Sequence, residues 1–192
     1  MFGLIGRLSA LSAVLVLLTA FTVVGAATGS HAVADVAVVA SVYDGDTLTL
    51  RDSRRVRLLQ IDTPELGSGE CYSRAARAAL LGLAPIGQRI VLHADPRLDR
   101  TDRYGRLLRY VTRNGANVNL ELVRRGAAAP YFYRGEKGRH AAVLMQAARG
   151  AKASRRGLWK ACPTTLLDPG HAVTTGRSGP AAQKPAPTGK CD

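Results

Sequence analysis

The chain has 192 residues, 46% of them apolar, and carries 27 Lys/Arg against 14 Asp/Glu for a formal charge of +13. That length and composition supply one ordinary hydrophobic core and argue against a second. The charge points to a polyanionic partner (nucleic acid, anionic membrane or acidic glycan) and does not by itself choose among them.

The first 34 residues read as a targeting segment. MFGLIGR is a short n-region with one arginine, and an apolar run of 20 residues follows, LSALSAVLVLLTAFTVVGAA. The AVA of Ala32 to Ala34 fits small-x-small cleavage, so maturation is expected just before Asp35. The alternative is an uncleaved anchor, since a run of this length can span a bilayer. Both readings place the remainder outside the cytoplasm, secreted or extracytoplasmic.

Residues 35–163 hold 23 Lys/Arg and 12 Asp/Glu, nearly all of the excess charge. This region opens with strands: VAVVASVY, the turn DGD, then TLTLRD with the period-two alternation of a half-buried strand. A tight turn leads to a third strand, RVRLLQI. Ser73 to Leu83 is rich in alanine and leucine and reads as a helix closed by Pro85 and Gly87. QRIVLHA is a fourth strand, DPRLDRTDRYG a charged loop, and RLLRYVT a fifth strand ending at RNG. The period then becomes helical in NVNLELVRRG, with Gly126 as its stop, and again over residues 139–153. Within the connection AAAPYFYRGEKG, at least one of Tyr131, Phe132 and Tyr133 is expected in the core, and Trp159 is expected to pack back on it. Residues 164–192 show no periodicity and read as a disordered Pro/Gly/Ala/Lys tail.

Links between the first three strands are too short for parallel crossovers. The pattern therefore predicts an α+β domain, mainly β, built on a five-stranded Greek-key barrel of the OB type with about three helices. The three cysteines and four histidines are scattered without metal-ligand spacing, which argues against zinc. In an oxidising compartment Cys71 and Cys162 can bridge and leave Cys191 over; the other reading is three free thiols.

Asp44, Asp46 and Asp62 stand in or beside turns at strand ends, where a hard cation such as calcium finds oxygen donors. Taken alone, DGD is more often a plain turn and DTPE a strand terminator. Arg57 lies in the strand leading to Asp62, sharing a side with Leu59 and Ile61 if that strand is regular, and Arg106 opens the fifth strand. Two strand-borne guanidinium forks beside carboxylates suit a phosphodiester clamp. From residue types alone, a phosphoryl hydrolase and a non-catalytic OB-type nucleic-acid binder remain comparable readings.

DGDTLTL, RLLQIDTPE and TDRYGRLLRYV together strongly resemble the thermonuclease family, the staphylococcal-nuclease-like secreted nucleases, over residues 36–159. The resemblance implies an OB-type barrel and a calcium-dependent, sugar-nonspecific endonuclease. Such an enzyme hydrolyses DNA and RNA, single-stranded or denatured strands preferentially, to 3′-phosphate and 5′-hydroxyl ends. It implies calcium ligands at Asp46, Asp62 and the Thr63 carbonyl, with Asp44 in the outer shell of the ion. It further implies Glu65 as general base or water-orienting group, Arg57 and Arg106 as the phosphate clamp, and Arg103, Tyr104, Tyr131 and Tyr133 as contacts to base and terminal phosphate. A monomer with no obligate protein partner is expected. Arg109 stands where the family prefers a small residue. The rival is a binding module of the same fold that has lost catalysis; this chain keeps all five of Asp46, Asp62, Glu65, Arg57 and Arg106.

Overall fold

The computed structural model describes residues 35–176. The expected leader and residues 177–192 of the expected tail, Cys191 among them, lie outside the described residues. Strand β1 (Asp35–Val42) pairs antiparallel with β2 (Thr47–Leu50), and β2 with β3 (Arg55–Leu58). On its other edge β1 pairs with β5 (Arg89–His93), which pairs with β6 (Leu107–Arg113). A parallel ladder between β3 and β6 then closes the sheet into the expected five-stranded barrel. Closure leaves no long free edge among these strands.

The three expected helices are present as α1 (Ser73–Leu83), α2 (Val118–Arg124) and α3 (Ala141–Ala153), with a single-turn α4 (Leu158–Ala161) after them. Helix α2 starts where the Asn117 side chain accepts from Leu120 N at 3.0 Å, satisfying one of the otherwise unpaired N–H groups of a first turn. Inside the barrel Val39, Leu48, Leu50, Val56, Leu58, Ile90 and Val111 meet Leu80, Leu122 and Leu144 from the helices. Gly126 ends α2 with φ +67, and a Cβ there would lie 2.3 Å from the Arg156 carbonyl oxygen. The backbones touch at that point, and Leu158 N donates to Gly126 O at 2.8 Å.

Two expectations are corrected. The third strand does not run through RVRLLQI. Gln60 takes φ 59 and splits it, so that Ile61–Asp62 becomes a separate strand β4 paired with β8 (Ala129–Pro130). The buried Gln60 side chain holds this break: its amide donates to Glu136 O at 2.8 Å, and its Oε1 accepts from Gly138 N at 2.9 Å and Tyr110 Oη at 3.2 Å. The regular strand on which the shared side of Arg57, Leu59 and Ile61 depended is therefore interrupted, although all three line one cavity. A short strand β7 (Ala116–Asn117) also extends the fifth strand's hairpin.

The second correction concerns the tail. From Thr164 to Gly176 it is held against the domain rather than disordered. Thr165, Val173 and Thr175 are buried, and Phe132 N donates to Pro169 O at 2.7 Å. Val173 joins Ala129, Ala151, Leu158, Trp159 and Cys162 in a second apolar cluster, which gives the segment an anchor that aperiodic sequence does not advertise. Cys71 and Cys162 are bridged across 91 residues with Cα atoms 6.1 Å apart.

Candidate active site

The DGD turn joins β1 to β2 and is stiffened from within. Asp44 Oδ1 accepts from Asp46 N at 3.0 Å and Thr47 N at 2.7 Å, an Asx-type turn. Gly45 packs so closely on α1 and the DTPE segment that a Cβ would lie 2.8 Å from Ala76 Cβ and Thr63 Cβ. Asp46 O accepts from Leu58 N at 2.8 Å, which brings the turn beside the end of β3. Antiparallel register sets Thr47 opposite Arg57.

Arg57 lies against both buried carboxylates. Its Nε is 3.1 Å from Asp46 Oδ1 and its Nη2 2.5 Å from Asp62 Oδ1, while Nη1 donates to Leu58 O and Ile61 O. Asp46 Oδ2 accepts from both the amide and the hydroxyl of Thr63, each at 3.0 Å, and Thr47 Oγ1 donates to Asp46 Oδ1 at 3.1 Å. Thr63 thus contributes two donors that aim Asp46, besides the carbonyl expected of it as a ligand. Asp62 Oδ2 accepts from Val173 N at 2.8 Å.

Arg106 is held by Asp102, which accepts from its Nε at 2.6 Å and from its backbone N at 2.9 Å; Nη1 reaches Thr47 Oγ1 at 3.5 Å. Arg57, Arg106, Asp44, Asp46 and Glu65 line one cleft of about 400 Å³. A neighbouring cavity of about 470 Å³ shares Arg57 and Arg106 and is walled by Arg103, Tyr104, Tyr131 and Tyr133. Arg103 lies 4.7 Å from the Tyr104 ring centre, and the Tyr131 and Tyr133 rings meet edge to face at 6.5 Å. Tyr104 and Tyr133 are more than half exposed, whereas Phe132 is buried and is the core aromatic of that trio.

The electrostatics of the cleft are those of crowded acid. Burial pushes the Asp46 carboxyl up to about 7; Arg57 pulls it down, and Asp44 and Asp62 push it up again. Burial also raises Asp62 against the pull of Arg57. Glu65 stands exposed at the mouth, and desolvation by the cleft walls followed by the Asp44 and Asp62 charges lifts its carboxyl above the usual range. Among the described residues no three His, Cys, Asp or Glu side chains form a ready-made metal cage. The donor chemistry nevertheless fits a hard cation: every donor is an oxygen, and one guanidinium faces more negative charge than it neutralises.

The structure thus brings together Asp44, Asp46, Arg57, Asp62, Thr63, Glu65 and Arg106, with Arg103, Tyr104, Tyr131 and Tyr133 next door. Sequence reading missed Thr47, Asp102 and the Val173 amide. Asp102 left a signal, a carboxylate four residues before Arg106 in a turn. Val173 left none, because its contact crosses 111 residues.

A closed five-stranded barrel with helices packed on it, and carboxylates and arginines clustered at strand ends, defines an OB-type α+β domain. The chain belongs to the staphylococcal nuclease family: the model described as "Staphylococcal nuclease homologue" matches residues 55–161. It is 34% identical over 127 residues to an "Uncharacterized endonuclease" of Haemophilus influenzae, covering 63% of this chain and 64% of that one. It is 31% identical over 137 residues to "Endonuclease YhcR" of Bacillus subtilis, covering 64% of this chain and 11% of that much longer protein. A "Micrococcal nuclease" of Shigella flexneri is 32% identical over 133 residues, covering 63% of this chain and 71% of the relative. The matches therefore span just under two thirds of the Haemophilus relative and a ninth of the Bacillus one.

Proposed function

We propose that the chain is a secreted or extracytoplasmic, calcium-dependent, sugar-nonspecific nuclease that hydrolyses DNA and RNA to 3′-phosphate and 5′-hydroxyl ends. The observation that carries this is the single cleft containing Asp46, Arg57, Glu65 and Arg106, with Asp62 bound to Arg57. Relatives named as nucleases support it.

In this reading Asp46 and Asp62, with Thr63 beside them, hold calcium, which supplies positive charge next to the scissile phosphate. Arg106, braced by Asp102, and Arg57 bind phosphate oxygens where negative charge grows as water attacks. Among the described residues Glu65 has no ion pair, and its raised pKa suits a group that orients the water and takes its proton. Asp44 acts one step back by stiffening the turn that presents Asp46. The exposed rings of Tyr104 and Tyr133, with Tyr131, offer stacking faces that only an unpaired base can reach, which favours single-stranded or denatured substrate. A cystine at Cys71–Cys162 suits an oxidising compartment and cleavage of a leader before Asp35. A monomer meets all these requirements.

The test is degradation of heat-denatured DNA by the purified chain with calcium and then with excess chelator. Chelator-sensitive cleavage is expected, and Glu65→Gln should lower kcat by roughly 10²- to 10⁴-fold with little change in KM or melting temperature. Chelator-insensitive or absent cleavage refutes the proposal. Nucleic-acid binding without cleavage would instead identify the non-catalytic module.

A further inference from the structure

Asp62 belongs to a strand of only two residues, paired only with the two residues of β8, so the sheet gives it little support. Its carboxylate is instead fixed from both sides. Arg57 binds Oδ1, and the amide of Val173 binds Oδ2 at 2.8 Å in a buried contact. Val173 reaches that position because of how its segment is tied. Residue 163 leaves directly from Cys162, which is disulfide-linked to Cys71. The same segment returns to Cys71 at its far end: Thr175 Oγ1 donates to Cys71 O at 2.8 Å, and Gly176 O accepts from Cys71 N at 2.8 Å. Midway, Pro169 O accepts from Phe132 N at 2.7 Å, and the Val173 side chain is buried among Trp159, Leu158 and Ala129. Cys71 is thus a post to which both ends of a 163–176 strap are attached, one covalently and one by two hydrogen bonds.

We infer that this strap is a positioning element for the nuclease site: the Val173 amide holds Asp62 Oδ2 so that Oδ1 is turned toward Arg57, which lines the cleft, and the Cys71 post holds the strap in register. The inference rests on the nuclease reading, in which Asp62 is a calcium ligand. A ligand carboxylate with one oxygen held by a fixed amide loses less rotational freedom on taking up a cation. It also cannot turn both oxygens toward Arg57. Partners of this kind, behind a metal ligand, typically change metal affinity by about 10- to 100-fold when removed. The strap lies outside the residues matched by the family model, which end at 161.

The experiment is calorimetric titration of the full chain with calcium, comparing wild type with Val173→Pro and Val173→Ala. Proline has no N–H to give Asp62, whereas alanine keeps the N–H and loses only packing. Val173→Pro should bind calcium about 10- to 100-fold more weakly. Val173→Ala should bind nearly as wild type while melting at a lower temperature. Should the proline variant not fold, Thr175→Val loosens the far end of the strap by one hydrogen bond. It should then weaken calcium binding by about 2- to 10-fold. A wild-type affinity in Val173→Pro, or in Thr175→Val should the proline variant not fold, overturns the inference, as does an affinity that merely tracks melting temperature across Val173→Pro and Val173→Ala. If wild type cleaves DNA in a chelator-sensitive way and the variants still bind calcium unchanged, only the strap's role falls. A wild type that neither binds calcium nor cleaves overturns the strap and the nuclease reading together.

Discussion

Replacing Arg57 by methionine tests the electrostatic logic of the cleft most directly. The Arg57 side chain is 14% exposed and lies 3.1 Å from Asp46 and 2.5 Å from Asp62, whose side chains are 5% and 7% exposed. Methionine keeps much of the aliphatic stem but leaves two buried carboxylates without their cation. Removing one partner of a buried pair generally costs about 3–5 kcal/mol, because the remaining charge is uncompensated. Against a typical total stability of about 5–15 kcal/mol, that is a large share. At roughly 2–4 °C per kcal/mol for a domain of this size, melting should fall by about 6–20 °C in chelator. If the carboxylates hold calcium, saturating calcium should return part of that loss, since the ion replaces the missing positive charge. The assay is thermal unfolding followed by circular dichroism, with and without calcium. Arg124→Met serves as the comparison: Arg124 is 55% exposed with a 3.8 Å contact to Glu121, and its loss should change stability by no more than about 0.5 kcal/mol. An Arg57→Met protein as stable as wild type in chelator would refute the argument that these acids depend on Arg57. A loss identical with and without calcium would refute the claim that the ion and the guanidinium serve the same charges.

Two further outcomes follow from packing and from a carboxylate remote from the cleft. Gly45→Ala should destabilise by about 1–3 kcal/mol, because its Cβ would sit 2.8 Å from Ala76 and Thr63, and the displaced turn should also lower nuclease activity; melting and rate measurements check both. Asp95 should make the fold acid-labile. Burial raises its carboxyl, but the backbone amides of Arg139 and Arg97 and the charges of those arginines outweigh it, so its folded pKa lies below the usual 3.8. The stability it contributes is therefore complete above 3.8 and is lost as pH falls through the lower folded value. Asp95→Asn should cost about 1–3 kcal/mol at pH 7 and flatten the acid limb of a melting-temperature profile; an unchanged limb would refute the assignment.

The sequence alone determined the strands around DGD and TLTL, helix α1, the closed barrel and the identity of the acid and arginine set. These features are local: period-two alternation, turn residues and short links leave few topologies open. The tight hairpin after TLTL, for example, appears where its turn residues put it, with Leu50 N donating to Arg54 O at 2.9 Å and Ser53 at φ 70. The tertiary structure decided what local pattern does not carry. RVRLLQI looked like one strand, yet Gln60 breaks it because its amide finds partners at Tyr110, Glu136 and Gly138, at least 50 residues away. Thr63 also aims Asp46 with its amide and hydroxyl, two contacts across 17 residues that no local pattern carries. The tail looked disordered because order there comes from a cystine, a buried valine and one amide on Asp62, none of which has a period. Residue types, spacing and the family resemblance thus picked out the groups that the structure brings together. Long-range contacts, formed only once the chain has closed on itself, decided how those groups are held.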